Sequence, residues 1–294
     1  MLYVIANETA GCGNGAAALK DIKRILDKRG IDYRCDITVG PGSATDLADK
    51  AVSAGCSEIV CVGGDGTITE VINGIKGRPV RFYFVPCGTG NDFVRMLELP
   101  RDPAEAFKVQ LDGTPCRIDV GNLNDIYFLN VSGSGFDAEV LKQAARFKRF
   151  GKGIIPYLLG IFAALRLFKP LSVEITHDGQ TRSMEVTIFS LGNGRYFGGG
   201  MKSVPHAVIN DGLFDVVVIS RVNRLQILSL LAKFVSGKHT SLPQASEFRC
   251  SELTVCCNDT MTMDIDGELV DMKTAHYRLL PGALEIMAPL RQNP

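Results

Sequence analysis

The chain has 294 residues, 46% of them hydrophobic and 22% charged, which supplies a sizeable core and excludes a disordered segment. Its 32 basic and 32 acidic side chains cancel, and the split is mild, 14 and 16 in residues 1–120 against 18 and 16 in the rest, so no broad basic face points to nucleic acid. A chain of this length usually divides into two domains.

Leu2 to Ala6 reads as a strand, followed by a glycine-rich turn, Gly11 to Gly15. Leu19, Ile22, Ile25 and Leu26 then share one helical face that Gly30 stops. Ile31 to Thr38 reads as a second strand, Ser43 caps a helix to about Ala54, Glu58 to Val62 is a third strand ending in glycines, and Arg81 to Val85 is a fourth. Strand and helix alternating in this way predicts parallel β/α units, whose ligands gather at the carboxyl ends of the strands. After about Gly121 the pattern turns to β-rich segments, with a hairpin signal at Asp178 and Gly179 between Val173 to Thr176 and Met184 to Phe189. Further strands are expected at Leu213 to Ile219, Glu247 to Cys257, Thr260 to Ile265 and Ala275 to Leu280, and helices near Ala138 to Phe147, Ile154 to Phe168 and Leu225 to Val235. The expected division is an α/β domain over 1–121 and a mainly antiparallel domain over 122–283, with 284–294 returning to the first.

The nine cysteines are scattered, without C-x-x-C or zinc spacing, as in a reduced cytoplasmic protein. The first residues lack the basic and apolar regions of a signal peptide. The longest nearly uncharged apolar stretch, Gly153 to Leu165, has 13 residues, against the roughly 20 of a spanning helix. It follows a basic run, Lys142, Arg146, Lys148, Arg149 and Lys152, and cations beside an apolar helix suit the inner face of an anionic membrane; a core helix after a solvated loop explains the same residues.

The strongest local signal is Gly63, Gly64, Asp65, Gly66 and Thr67, between an apolar strand and a helix carrying Val71 and Ile75. Glycines let main-chain N–H groups approach an anion, and the helix points its positive end there, so a phosphate fits. Asp65 would repel that anion unless a cation is shared, which points to metal-assisted nucleotide binding. A second loop, Pro86 to Asp92 (PCGTGND), follows the next strand, and two such loops in register face one cleft. Neither is a Walker A loop. Asp266 and Glu268 flank Gly267 after the alternating Met261, Met263 and Ile265; a carboxylate there could accept a hydroxyl proton, and a solvated turn is the plain alternative.

These motifs, with RIDVG at Arg117 to Gly121, GNGRYFGGG at Gly192 to Gly200, NDGL at Asn210 to Leu213 and DGE at Asp266 to Glu268, resemble the diacylglycerol kinase catalytic family of lipid kinases, which includes YegS-like and sphingosine kinases. The resemblance covers nearly the whole chain. It implies an N-terminal α/β domain related to NAD kinases, a C-terminal antiparallel β-sandwich domain, an ATP cleft between them, and transfer to a lipid hydroxyl, diacylglycerol above all, giving phosphatidic acid. By position it places ATP against Asn7, Gly11, Thr38, Gly63, Gly64, Asp65, Gly66, Thr67, Ile68, Thr69, Glu70, Gly88, Thr89, Gly90 and Asn91, and magnesium and its waters with Asp65, Asp92 and Asp119. It implies a structural magnesium held by Asp211 and the carbonyls of Val208 and Leu213, although an Asx turn explains those residues too. It assigns the base to DGE, Glu268 or Asp266, and is compatible with a homodimer. Two departures stand out: Asn7 is followed by Glu8 where the family has proline, and Thr69 replaces a frequent asparagine. The competing readings are a soluble kinase of the NAD kinase type and a catalytically silent nucleotide-binding regulator.

Overall fold

Continuous apolar strands flanked by helices on both faces build the N-terminal half of the chain, in a computed structural model that describes residues 1–147 and 155–289. Lys148, Arg149, Lys152 and Ile154 of the expected basic run and helix, and the last five residues of the 284–294 tail, lie outside the described residues. Strands β1 (Leu2–Ala6), β2 (Tyr33–Ile37), β3 (Glu58–Gly63) and β4 (Arg81–Pro86) form a parallel sheet in the order β2, β1, β3, β4. Every residue of β1 is buried, as a strand covered on both faces requires. Helix α1 (Ala10–Arg29) turns Leu19, Ile22 and Leu26 to one face and ends on left-handed Gly30. With α5 (Pro103–Leu111) it covers one side, while α2 (Ser43–Ser53), α3 (Asp65–Ile75) and α4 (Asp92–Met96) cover the other. The sequence reading assigned no helix to Pro103–Leu111, whose start is fixed by Asp102 accepting from Glu105 N at 2.9 Å with proline at the first position.

Two long strands join the halves. β5 (Thr114–Leu123) runs antiparallel to β15 (Glu268–Ala288), from Thr114 opposite Ala288 to Leu123 opposite Tyr277. The end of β15 then adds to the parallel sheet, with Glu285 and Ile286 beside Arg81 and Phe82. The expected strand at Ala275 to Leu280 is thus the middle of a 21-residue strand. The expected Glu247 to Cys257 strand is two elements, β13 (Ala245–Cys250) and β14 (Glu252–Ile265); the latter continues through an irregularity between Cys256 and Met261 that absorbs the polar Asn258 and Asp259.

The second half is antiparallel: β7 (Val131–Gly135), reached through β6 (Ile126–Phe128), lies between β9 (Gln180–Gly192) and β14, while β8 (Leu171–His177) pairs with both β9 and β14. Past the paired short strands β10 (Tyr196–Phe197) and β11 (Met201–Lys202), β12 (Phe214–Ser220) extends the sheet to β13. One core, around Phe128, Phe189, Phe214 and Tyr277, fills the inside of this β layer structure. Another packs its outer face against α6 (Phe136–Phe147), α7 (Ile155–Leu167) and α8 (Arg224–Ser236). All nine cysteines are free thiols. No described helix is long and apolar enough to cross a membrane.

Candidate active site

The two glycine loops touch through their backbones. A Cβ on Gly64 would come within 2.9 Å of the Gly88 Cα, and one on Gly88 within 2.6 Å of the Gly64 Cα, so both positions require glycine. Gly11, left-handed at φ 58°, is equally constrained, since a Cβ there would lie 1.9 Å from the Cys87 carbonyl oxygen. The ends of β1, β3 and β4 are thereby gathered around the first turn of α3. That turn has no side-chain cap, so its N–H groups remain available to an anion.

A cavity of about 460 Å³ opens on one side of the turn, lined by Asn7, Gly11, Thr38, Gly64, Gly66, Thr67, Glu70 and Gly88 among the expected nucleotide residues. Asn7 Nδ2 donates to Thr67 Oγ1 at 3.1 Å, and Glu70 Oε2 accepts from Ala44 N at 3.0 Å. Val39, 94% exposed, also lines this cavity, a residue that sequence reasoning passed over.

A second cavity, about 390 Å³, lies between the halves of the molecule on the other side of the turn. Gly66 lines both. Its carboxylates are Asp65, Asp92, Asp266 and Glu268; its apolar walls include Ile68, Phe93, Leu129, Val131, Leu141 and Phe197. Ile68 and Thr69, expected with the nucleotide, face this second cavity instead. The reason is helical geometry: Asp65, Ile68 and Thr69 stand at i, i+3 and i+4 on one side of α3, while Thr67 and Glu70 turn to the other. Gly63 and Thr89 line neither cavity, and Asn91 closes its own loop, accepting from Gly88 N at 2.9 Å and donating to Gly88 O at 3.0 Å.

Asp65 and Asp92 stand together. Asp65 Oδ1 accepts from Asp92 N at 2.8 Å, and Asp92 Oδ2 accepts from Gly199 N at 2.8 Å, which fastens the Gly198 to Gly200 bend of the C-terminal half onto α4. Those three glycines all have positive φ. Burial raises both carboxyls above the usual carboxylate range, and the Asp65 charge raises Asp92 further. Asp92 Oδ1 is buried without a hydrogen-bond partner, and the nearest cation is Arg95 Nε at 3.7 Å. Arg95, which sequence reasoning did not single out, also donates to Gly90 O at 3.2 Å.

Asp119 is not brought to this pair. Its Oδ1 accepts from Gly282 N and its Oδ2 from Gly212 N, both at 2.8 Å, and it lines neither cavity. Both oxygens are committed to main-chain donors, and Asn193 Nδ2 donates to the Asp119 carbonyl at 2.9 Å, so the residue is a junction between three loops. At the NDGL turn the Asp211 carboxylate has partners within the chain. Asp211 Oδ2 is ion-paired with the Arg249 guanidinium, whose Nε also lies 3.4 Å from Asp215, and Asp211 Oδ1 accepts from Leu213 N at 3.1 Å. A magnesium held by Asp211 with the Val208 and Leu213 carbonyls would take the place of that guanidinium. Among the described residues no group of three or more His, Cys, Asp or Glu side chains is arranged to hold a metal.

The two acids of DGE differ sharply. The Asp266 carboxylate accepts from three successive main-chain N–H groups, Leu129 at 2.8 Å and Asn130 and Val131 at 3.0 Å, while its backbone sits left-handed at φ 49°. Glu268, two residues on, is exposed at the cavity.

Behind the turn lies a group of enclosed acids. Burial raises Asp137 and Asp266 to about 6, and Asp264 rises well above the carboxylate range through burial and then the charges of Asp137 and Asp266. Each folded value exceeds the unfolded value of about 4. The stability from their protonated forms is therefore complete below about pH 4 and is lost as pH rises through about 6, later for Asp264. The melting temperature should fall between pH 5 and pH 7.5. Asp264→Asn keeps an oxygen to accept from Gly267 N, now at 2.8 Å, and should flatten that slope and raise the melting temperature at pH 7.5 by about 2 to 4 °C. An unchanged slope would locate the pH dependence elsewhere.

Comparison with known proteins agrees with this geometry. Residues 1–123 match the diacylglycerol kinase catalytic domain, and residues 130–288 match the YegS C-terminal NAD kinase beta sandwich-like domain. A diacylglycerol kinase of Staphylococcus saprophyticus is 28% identical over 288 residues, covering 97% of this chain and 94% of its own. One of Staphylococcus epidermidis is 29% identical over 288 residues, covering 97% and 91%. The crystal structure of a candidate diacylglycerol kinase from Bacillus anthracis superposes with a TM-score of 0.81 at 26% identity, covering 100% of this chain and 97% of that one. With an α/β half, a β-sandwich half and both glycine loops in place, this chain belongs to the diacylglycerol kinase and YegS-like family of lipid kinases.

Proposed function

We propose that the protein transfers the γ-phosphoryl group of ATP, with Mg²⁺, to the hydroxyl of diacylglycerol, giving phosphatidic acid and ADP. The observation that carries this reading is the pair of cavities sharing Gly66: one is lined by glycines and the polar Asn7, Thr9, Thr38, Thr67 and Glu70 together with Ala10, Val39, Pro41 and Ala44, and the other has apolar walls and four carboxylates. ATP fits the first, with Val39 against the base and the phosphates at the uncapped start of α3. Asp65 and Asp92 would hold Mg²⁺, since the unpartnered Asp92 Oδ1 and two carboxyls raised by burial, Asp92 also by the Asp65 charge, would gain from a cation. When bound, that ion supplies charge neutralisation at the transferring phosphoryl group.

The acyl chains of the acceptor lie against Ile68, Phe93, Leu141 and Phe197. Glu268 takes the hydroxyl proton as the acceptor oxygen bonds to the γ-phosphorus and the bond to ADP breaks. Asp266 orients that turn. A dinucleotide acceptor would leave the apolar walls unmatched, which favours lipid over NAD. An acceptor of this kind resides in a bilayer, so the enzyme works at a membrane from its aqueous side. Incubating the protein with labelled ATP and a panel of diacylglycerol, other hydroxylated lipids and NAD tests the reading. Label in phosphatidic acid supports it; label in none of the lipids overturns it.

A further inference from the structure

Among the described residues, six of the nine large exposed apolar side chains lie on two helices. Leu158, Leu159, Phe162 and Leu167 stand out from α7 and Leu228 and Val235 from α8, with Phe162 70% exposed. The cause lies in how α7 packs. A Cβ on Gly160 would lie 2.8 Å from both Val140 O and Ala144 N, so the helix rests directly on α6 and turns Ile161, Ala164, Leu165 and Phe168 inward. Leu158, Leu159, Phe162 and Leu167 are left on its exposed side. α8 joins the same surface, because Arg224 Nη2 donates to the Arg166 carbonyl at 3.2 Å.

The two helices that carry this patch have no acidic side chain. Residues 140–147, 158–173 and 216–246 carry eight basic side chains and no acidic one, in a chain whose net charge is zero. Among the described residues only Arg221 of these eight is met by a carboxylate, Glu185 at 2.8 Å. Arg146, Arg166, Lys169, Arg224 and Lys238 are all exposed. At 13 residues, α7 is too short for a hydrocarbon core about 30 Å thick. An apolar helix face with unpaired cations around it instead suits the headgroup boundary of an anionic bilayer, where exposed apolar side chains are buried and each cation adds attraction. The patch is also placed to deliver an acceptor, because α6, on which α7 lies, contributes Leu141 to the apolar cavity.

We infer that the α7 and α8 face is the surface by which the protein docks on an anionic membrane, with Phe162 and its apolar neighbours entering the headgroup boundary. This deepens the lipid-kinase reading and rests on it only for what the docked enzyme then does. The test is co-sedimentation of the whole protein with large unilamellar vesicles of phosphatidylcholine alone or with phosphatidylglycerol. Binding should require phosphatidylglycerol and weaken as salt is raised. Leu159→Asp with Phe162→Asp should lower vesicle affinity at least tenfold, and so should Arg166→Gln with Lys169→Gln and Lys238→Gln, which leaves the apolar side chains in place. Both variants should phosphorylate a short-chain diacylglycerol dispersed in solution within about twofold of the parent. Vesicle binding by the parent that persists in both variants overturns the inference, as does a parent that ignores phosphatidylglycerol. So does a parent dimer that the Asp pair dissociates, which would make the face a contact between copies. Loss of vesicle binding in a protein that phosphorylates no lipid in solution would leave the docking surface standing and sink the lipid-kinase reading alone.

Discussion

Glu268→Gln is expected to lower lipid phosphorylation at least about a hundredfold while leaving ATP affinity within about twofold, the size of effect that loss of a general base produces. Glu268 lines the cavity with apolar walls and not the one proposed for ATP, so its amide should leave the proposed nucleotide contacts alone. The neighbouring acid makes the informative contrast. Asp266 accepts from Leu129, Asn130 and Val131 N–H, and an amide has one oxygen to offer where the carboxylate has two. Asp266→Asn should therefore leave at least one main-chain donor unpaired, at about 1 to 3 kcal/mol, and lower the melting temperature as well as turnover. Glu268→Gln should not lower the melting temperature, because its exposed carboxylate supports no such turn. Turnover and melting scans on both variants separate the roles. A Glu268→Gln protein with parent-like turnover would remove Glu268 as the base.

The parallel half was legible because its signals are local. β1, β3 and β4 are short apolar runs followed by glycine-containing loops, and helices such as α1 show their buried face in Leu19, Ile22 and Leu26. The antiparallel half was read in fragments, since β14 and β15 continue through polar residues that resemble turn signals and are held in register by each other. The same division holds at the site. GGDGT and GTGND announce themselves because close backbone approach demands glycine, as at Gly64 and Gly88. The side of α3 on which Ile68 and Thr69 fall was available from helical spacing, and it separates them from Thr67 and Glu70. What a single sequence could not supply were pairings across long separations. Gly199 on Asp92 spans 107 residues and Gly282 on Asp119 spans 163, and no local pattern marks Arg249 as the partner of Asp211.

Asp65→Ala is expected to reduce turnover at least about a thousandfold in a protein that still folds, because on the proposed function Asp65 organises the metal, and losing such a carboxylate takes several kcal/mol of stabilisation from the transition state. The side chain has a second task, since its Oδ1 accepts from Asp92 N at the start of α4. Alanine removes the charge and that hydrogen bond together, so a loss in Asp65→Ala alone would be ambiguous. Asp65→Asn divides them: the amide oxygen can still accept from Asp92 N, while the negative charge beside Asp92 is gone. If charge at the phosphates is what matters, both variants lose turnover, and the asparagine variant keeps the parent melting temperature or exceeds it, because a carboxyl that burial pushes upward has been neutralised. If the residue only pins α4, the asparagine variant works at close to the parent rate. Raising Mg²⁺ sharpens the comparison, because a site left with Asp92 as its one carboxylate should need more of the ion to reach half its residual rate. An Asp65→Asn protein with parent-like turnover and parent-like Mg²⁺ dependence would show that the ion is held elsewhere and that GGDGT acts through its backbone alone.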